Sequence, residues 1–213
     1  MSQFTLYYLH DPMCSWCWGF SQAWHTIQKG LPPELAIQYV HGGLAPDSDE
    51  PMSQDMRENI KAHWHNIERV IPGTQFNYDF WVKCQAYRST YPSCRAVIAA
   101  KNQGTTYEKP MLHAIQHAYY LEAKNPSIDE VLIGLACDLD LDLSRFARDL
   151  NSVETQAKLI EDINLYHALS AETGVSGFPS LVLKIGDNKV GIPRDYHSPR
   201  ATIDVILYHI YKS

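Results

Sequence analysis

Two cysteines two residues apart, in Cys14-Ser15-Trp16-Cys17, are the side chains of this chain best suited to chemistry. Such spacing serves either a dithiol that exchanges with disulfides or half of a tetrahedral zinc site. Zinc needs a second pair, or a Cys and a His at similar spacing. Cys84 and Cys94, with nine residues between them, lack such partners. His63-Trp64-His65 places its imidazoles on different faces of a helix. The stretch Asp138-Leu139-Asp140-Leu141-Asp142 has neither the glycine nor the closing glutamate of a calcium loop and reads as a solvated helix end. The expectation is a redox dithiol and no metal.

The elements around the pair support that choice. Phe4 to His10 is aromatic and branched and stops at Asp11-Pro12, the pattern of a buried strand running into a turn. From about Ser15 to Lys29 there is no proline, and Gly30, Pro32 and Pro33 then end a helix. Cys14 is thereby placed at a helix N-terminus, where free N–H groups and the macrodipole stabilise an attacking thiolate. Cys17, one turn in, is more covered and suits the resolving thiol that releases a mixed disulfide.

A second strand, Leu35 to His41, completes a strand-helix-strand unit expected to be parallel with a right-handed crossover. Helical patterning follows from about residue 54 to residue 173. Ile128, Val131, Leu132, Leu135, Ala136 and Leu139 share one helical face, and Leu159, Ile163 and Tyr166 continue the style. Then Ser180 to Ile185, a turn at Gly186-Asp187-Asn188, and Lys189 to Ile192 read as a hairpin. A last helix places Ile203, Ile206, Leu207, Ile210 and Tyr211 on one face. The predicted class is α/β: strand-helix-strand, a large all-helical insertion, then strand-strand-helix. The predicted division is residues 1–50 with 174–213 as one discontinuous domain and 51–173 as the insertion.

Composition narrows the partners. The 213 residues are 45% hydrophobic, enough for a real core, and 18 basic against 24 acidic residues give a net charge of -6 with no basic block. Nucleic acid and anionic membranes are therefore not expected partners. The opening residues lack a secretory signal pattern and no apolar run reaches the roughly 20 residues that span a bilayer, so the expected location is cytoplasmic. Five cysteines in a reducing compartment point to reactive rather than structural thiols.

The stretch from Asp11-Pro12-Met13-Cys14 through Cys17-Trp18-Gly19, a helical insertion, and Gly174-Val175-Ser176-Gly177-Phe178-Pro179 before a hairpin resemble the DsbA family of thioredoxin-like proteins. The likeness is to its cytoplasmic branch of predicted protein-disulfide isomerases, related to the FrnE type, and spans nearly the whole chain. It implies a thioredoxin-like, DsbA-like fold. It also implies that Pro179 is a cis proline facing the dithiol, leaving the backbone of Phe178 free to pair with a bound peptide. Ser15 and Trp16 adjoin the same substrate path; Trp16 is the aromatic expected to be exposed there, with Trp18, Phe20 and Trp24 packed. Ser15-Trp16 supplies no histidine between the cysteines, so a weaker oxidant than the secreted oxidases is expected.

Other residues have more ordinary readings. His10 and His41 end strands on the dithiol side and are candidates to tune Cys14, although a histidine satisfied by backbone is the simpler expectation. Cys94, just after Pro92, is a candidate auxiliary thiol whose plainer reading is a buried structural one; Cys84 is a weaker candidate, and Cys137 is expected in the core.

The expected function is a disulfide reductase or isomerase working by mixed-disulfide exchange on a protein or peptide. It needs no tightly bound cofactor, and glutathione or a thioredoxin-type reductase would be the electron donor. The alternative is a glutathione-dependent isomerase or transferase of the kappa or hydroxychromene-carboxylate type. Those enzymes usually have serine where Cys14 stands. A non-catalytic binding module is a third reading.

Overall fold

The computed structural model describes residues 4–212. In chain order the elements are β1 (Phe4–His10), α1 (Ser15–Gly30) and β2 (Ala36–His41), then α2 (Gln54–Val70), α3 (Phe80–Lys83), α4 (Tyr91–Gln103), α5 (Glu108–Tyr120), α6 (Asp129–Asp138), α7 (Leu143–Leu150) and α8 (Val153–Thr173). The hairpin β3 (Ser180–Ile185) and β4 (Asn188–Ile192) follows, and α9 (Pro199–Lys212) closes the chain. The sheet order is β2-β1-β3-β4. β1 and β2 run parallel, Thr5 opposite Ala36 through His10 opposite His41, and β3 lies antiparallel to both β1 and β4. This is the expected α/β, thioredoxin-like arrangement.

Strand side chains alternate between faces, so each face of this sheet needs its own cover. Leu6, Tyr8, Leu181 and Leu183 join a core with Phe20, Trp24 and Ile27 of α1, Ile203 and Ile206 of α9, and buried residues of α4 to α7. Tyr7, Leu9, Val40 and Val182 pack on the other face against Leu169 of α8. At about 1.5–3 kcal/mol per fully buried large apolar side chain, these two layers are the main restraint on the strand ends that carry the site.

Local signals set the helix ends. The Cys14 side chain caps α1 by accepting the Cys17 N–H; Ser53, Asp142 and Ser152 cap α2, α7 and α8 in the same way. α8 stops at Gly174, whose φ of 74° is left-handed backbone that glycine adopts without strain.

Two sequence expectations need correction. Cys137 is exposed, not core. Leu132, Leu135 and Ala136 do face inward, but residue 137 lies a further 100° around α6 from Ala136 and looks outward. Tyr211, placed on the apolar face of α9, is 77% exposed, although Leu207 and Ile210 still pack against the core. The acid-leucine stretch is a solvated helix end as expected: α6 ends at Asp138, Asp138, Asp140 and Asp142 are exposed, and Asp142 caps α7, with only Leu141 of the stretch buried.

Candidate active site

The end of β1 leads into a tight turn in which the Cys14 N–H donates to the Asp11 carbonyl at 3.1 Å. That turn delivers Cys14 to the N-cap of α1. Its Sγ accepts the Cys17 N–H at 3.4 Å and lies 3.5 Å from the Phe178 carbonyl, to which its S–H donates. Cys14 is 7% exposed and Cys17 0%, so of the two only Cys14 presents surface to the outside. Burial, together with the neighbouring Cys14, holds the Cys17 thiol well above the usual thiol range. Phe178 and Pro179 are joined by a cis peptide bond, as the resemblance implies.

Beside Cys14 lies a groove of about 410 Å³ lined largely by apolar side chains. Ser15, Trp16 and Phe178 line it, as do Met52 and Ile60 from the α2 side and Tyr119 of α5. Trp16 is half-buried and meets Tyr196 edge-on at 5.7 Å. Trp18 is half-buried as well, stacked on Tyr120 at 5.6 Å, while Phe20 and Trp24 are buried.

Asp11 is the residue that sequence reasoning underrated, because an Asp-Pro at a strand end looks like a turn signal. It is fully buried, and its carboxylate accepts the Met13 N–H (2.8 Å), the Leu44 N–H (2.8 Å) and the Thr90 hydroxyl (2.7 Å). Burial raises its carboxyl above the ordinary carboxylate value, against the pull of those three donors. It is also the carboxylate whose charge acts on Cys17. Cys94, near the start of α4 as expected, is fully buried with its Sγ 3.7 Å from Asp11 Oδ2. Burial drives that thiol well up, with the Asp11 charge adding to it. Cys84 is half-buried and its S–H donates to the Ala123 carbonyl at 3.0 Å.

The two strand-end histidines sit together, their rings 5.0 Å apart, but not as expected. His41 is not satisfied by backbone: its Nδ1 is 2.7 Å from Asp162 of α8. His10 is fully buried, stacked on Tyr8 at 5.1 Å, and neither ring nitrogen has a hydrogen-bond partner. Burial lowers its pKa well below the usual histidine value, with His41 adding to the effect. The charges that bear on Cys17 come from Cys14 and Asp11, with neither histidine among them. Among the described residues no group of three or more His, Cys, Asp or Glu is placed to hold a metal ion, and no helix is long and apolar enough to cross a membrane.

A family model described as thioredoxin matches residues 7–190. The chain is 24% identical over 212 residues to the "ClpXP adapter protein SpxH" of Halalkalibacterium halodurans, covering 97% of this chain but 64% of that protein. It therefore spans less than two thirds of that relative's length. Among solved structures, one from Nitrosomonas europaea, provisionally assigned as a protein disulfide isomerase, aligns with a TM-score of 0.82 at 28% identity over 97% of this chain and 98% of the other. The cytosolic disulfide reductase DsbM of Pseudomonas aeruginosa aligns with a TM-score of 0.79 at 23% identity over 98% of this chain and 100% of the other, and a further structure of DsbM is described with GSH. With the sheet order, the helical region between its two halves and the paired thiols at the head of α1, these matches make the chain a member of the thioredoxin family in its DsbA-like form.

Proposed function

We propose that the chain is a thiol-disulfide oxidoreductase that reduces or reshuffles disulfides in protein or peptide substrates of the cytoplasm. The observation that carries this reading is the pairing of an N-capping, groove-facing Cys14 with a buried Cys17 one helical turn away. The Cys14 thiolate attacks one sulfur of a substrate disulfide, and the other sulfur leaves as a thiolate that takes up a proton. A mixed disulfide on Cys14 remains. Cys17, once deprotonated, attacks Cys14 Sγ and expels the second substrate thiolate, so two electrons reach the substrate and a Cys14–Cys17 disulfide is left. Two thiols of an external donor restore the dithiol; glutathione or a thioredoxin-type reductase suits that role.

A buried thiol of raised pKa needs a nearby base for the second step. Asp11, the carboxylate whose charge acts on Cys17, is the candidate for that base. Pro179 and the Phe178 backbone would guide the substrate chain past Cys14, with Ser15 and Trp16 on the opposite side.

The test is replacement of Cys17 by Ser, which should trap a mixed disulfide, joined to redox titration of the wild type by tryptophan fluorescence. A two-electron transition lost in Cys17→Ala supports the reading. A midpoint near or below a glutathione poise of roughly -220 to -320 mV favours reductase over oxidant. Failure to trap any partner, with no transition at any buffer ratio, would refute it. Turnover retained in Cys17→Ala would favour the glutathione-dependent isomerase instead.

The relatives named as ClpXP adapters support a second reading, in which the same groove holds a protein partner without chemistry. Partner binding retained when both Cys14 and Cys17 are serine would favour it.

A further inference from the structure

The groove beside Cys14 is lopsided in charge. In a chain of net charge -6, Arg88 is the one permanently charged residue among those lining it, and no carboxylate lines it at all. Arg88 is half-buried yet makes no hydrogen bond or ion pair among the described residues. Contrast Arg95, whose guanidinium is held by both Asp47 oxygens at 2.8 Å. Among the described residues the Arg88 guanidinium is left without a protein partner, and its planar fork matches a carboxylate. Its field does reach the groove wall: burial pushes the Tyr119 hydroxyl up, and Arg88 is the influence that pulls it back. The remaining wall is largely apolar or uncharged, with His63 the other basic group there.

We propose that Arg88 sets the substrate class, selecting disulfides that carry a carboxylate close to the bond that breaks. The inference rests on the oxidoreductase reading above. Its physical content is a matter of sign. The attacking group is a thiolate and the protein is acidic, so without Arg88 an anionic disulfide should be the slowest to react. With Arg88 on the wall of the same groove as Cys14 it becomes the fastest, because the guanidinium meets the carboxylate as the scissile bond reaches Cys14.

The experiment uses three small disulfides of similar size: 3,3′-dithiodipropionate, bis(2-hydroxyethyl) disulfide and cystamine, which are anionic, neutral and cationic. Pre-reduced protein freed of reductant is mixed with each, and its single-turnover oxidation is followed by tryptophan fluorescence, so no external donor enters. Dividing each second-order rate constant by that of dithiothreitol with the same disulfide removes intrinsic reactivity. In the wild type the normalised rates should fall from anion to neutral to cation, about tenfold or more from end to end. Arg88→Lys should keep that order and Arg88→Glu should reverse it, with Arg88→Gln used if the reversal variant does not fold. Equal normalised rates for the three disulfides in the wild type, or the same order persisting in Arg88→Glu, would overturn the inference while leaving the oxidoreductase reading intact. If none of the three oxidises the wild-type dithiol, it is the oxidoreductase reading that fails.

Discussion

Adding one methyl group at Gly42 should disturb the dithiol from the far side of the groove. Gly42 follows β2, and its N–H donates to the His10 carbonyl at 2.7 Å. A Cβ built there would stand 1.8 Å from Phe178 Cζ and 2.0 Å from Cε1, about 1.6 Å inside the 3.4 Å at which ordinary contact begins. The ring cannot absorb this freely, because its other side meets Tyr166 with centroids 4.7 Å apart. Phe178 must therefore shift, and the carbonyl that takes the Cys14 S–H belongs to the same residue. Overpacking of this size costs about 1–3 kcal/mol. In a chain of this length that is roughly 2–4 °C of Tm per kcal/mol, or about 2–12 °C in all. Thermal unfolding of the reduced protein measures the loss, and single-turnover reduction of bis(2-hydroxyethyl) disulfide measures the effect on Cys14. The decisive variant is Gly42→Ala combined with Phe178→Ala. If the clash is the cause, the methyl group costs little once the ring is gone, and the double-mutant cycle shows a coupling of about 1 kcal/mol or more. A Gly42→Ala penalty of the same size with and without the ring would refute the reasoning.

Other outcomes follow from the same geometry. His10→Phe should flatten the acid side of the stability curve: the unfolded ring takes up a proton near pH 6.5 and the buried folded ring, its pKa lowered, does not, so stability falls as pH drops below that value. The loss is at most about 2 kcal/mol at pH 5.0, the ceiling set by titration of the unfolded ring, measured as the difference between variant and wild type in denaturant unfolding at pH 7.5 and 5.0; equal pH dependence of the two proteins would contradict the assignment. Asp11→Leu strands three buried donors at about 1–3 kcal/mol each and should unfold the protein or lower its stability by several kcal/mol, whereas a change under 1 kcal/mol would show that the Asp11 cluster is not needed. In native reduced protein, maleimide labelling with peptide mapping should mark Cys14 and the exposed Cys137 and leave Cys17 and Cys94 unlabelled until unfolding; early modification of Cys94 would contradict its burial.

The dithiol was legible because its evidence is local. An aromatic and branched run, an Asp-Pro stop, then a proline-free stretch ended by Gly30 and two prolines suffice to seat Cys14 at a helix start. The hairpin and the cis Phe178–Pro179 bond were legible for the same reason, one from its turn and the other through a family likeness. What the sequence withheld is what long-range packing makes. Arg88 and Thr90 lie in an unremarkable polar stretch, and only the placement of α4 against the end of β1 brings Thr90 to Asp11 across 79 positions. Likewise the pairing of His41 with Asp162 spans 121 positions and depends on α8 crossing the sheet. Cys137 was misplaced for a smaller reason, since an apolar neighbour in sequence is not a neighbour on the helix face.

The Asp11 carboxylate touches the turn that holds the cysteines, the segment leaving β2 and the residue that opens into α4. A single buried anchor thus fixes the spacing between the thioredoxin-like strands and the helical wall, in the manner of a rivet through three plates. On the side that Asp11 holds, the groove should consequently act as a slot of fixed width rather than a jaw that shuts on its guest. Selection among substrates is then made at entry, by shape and charge at the rim, and the binding step should be a single kinetic phase with no slower closure behind it.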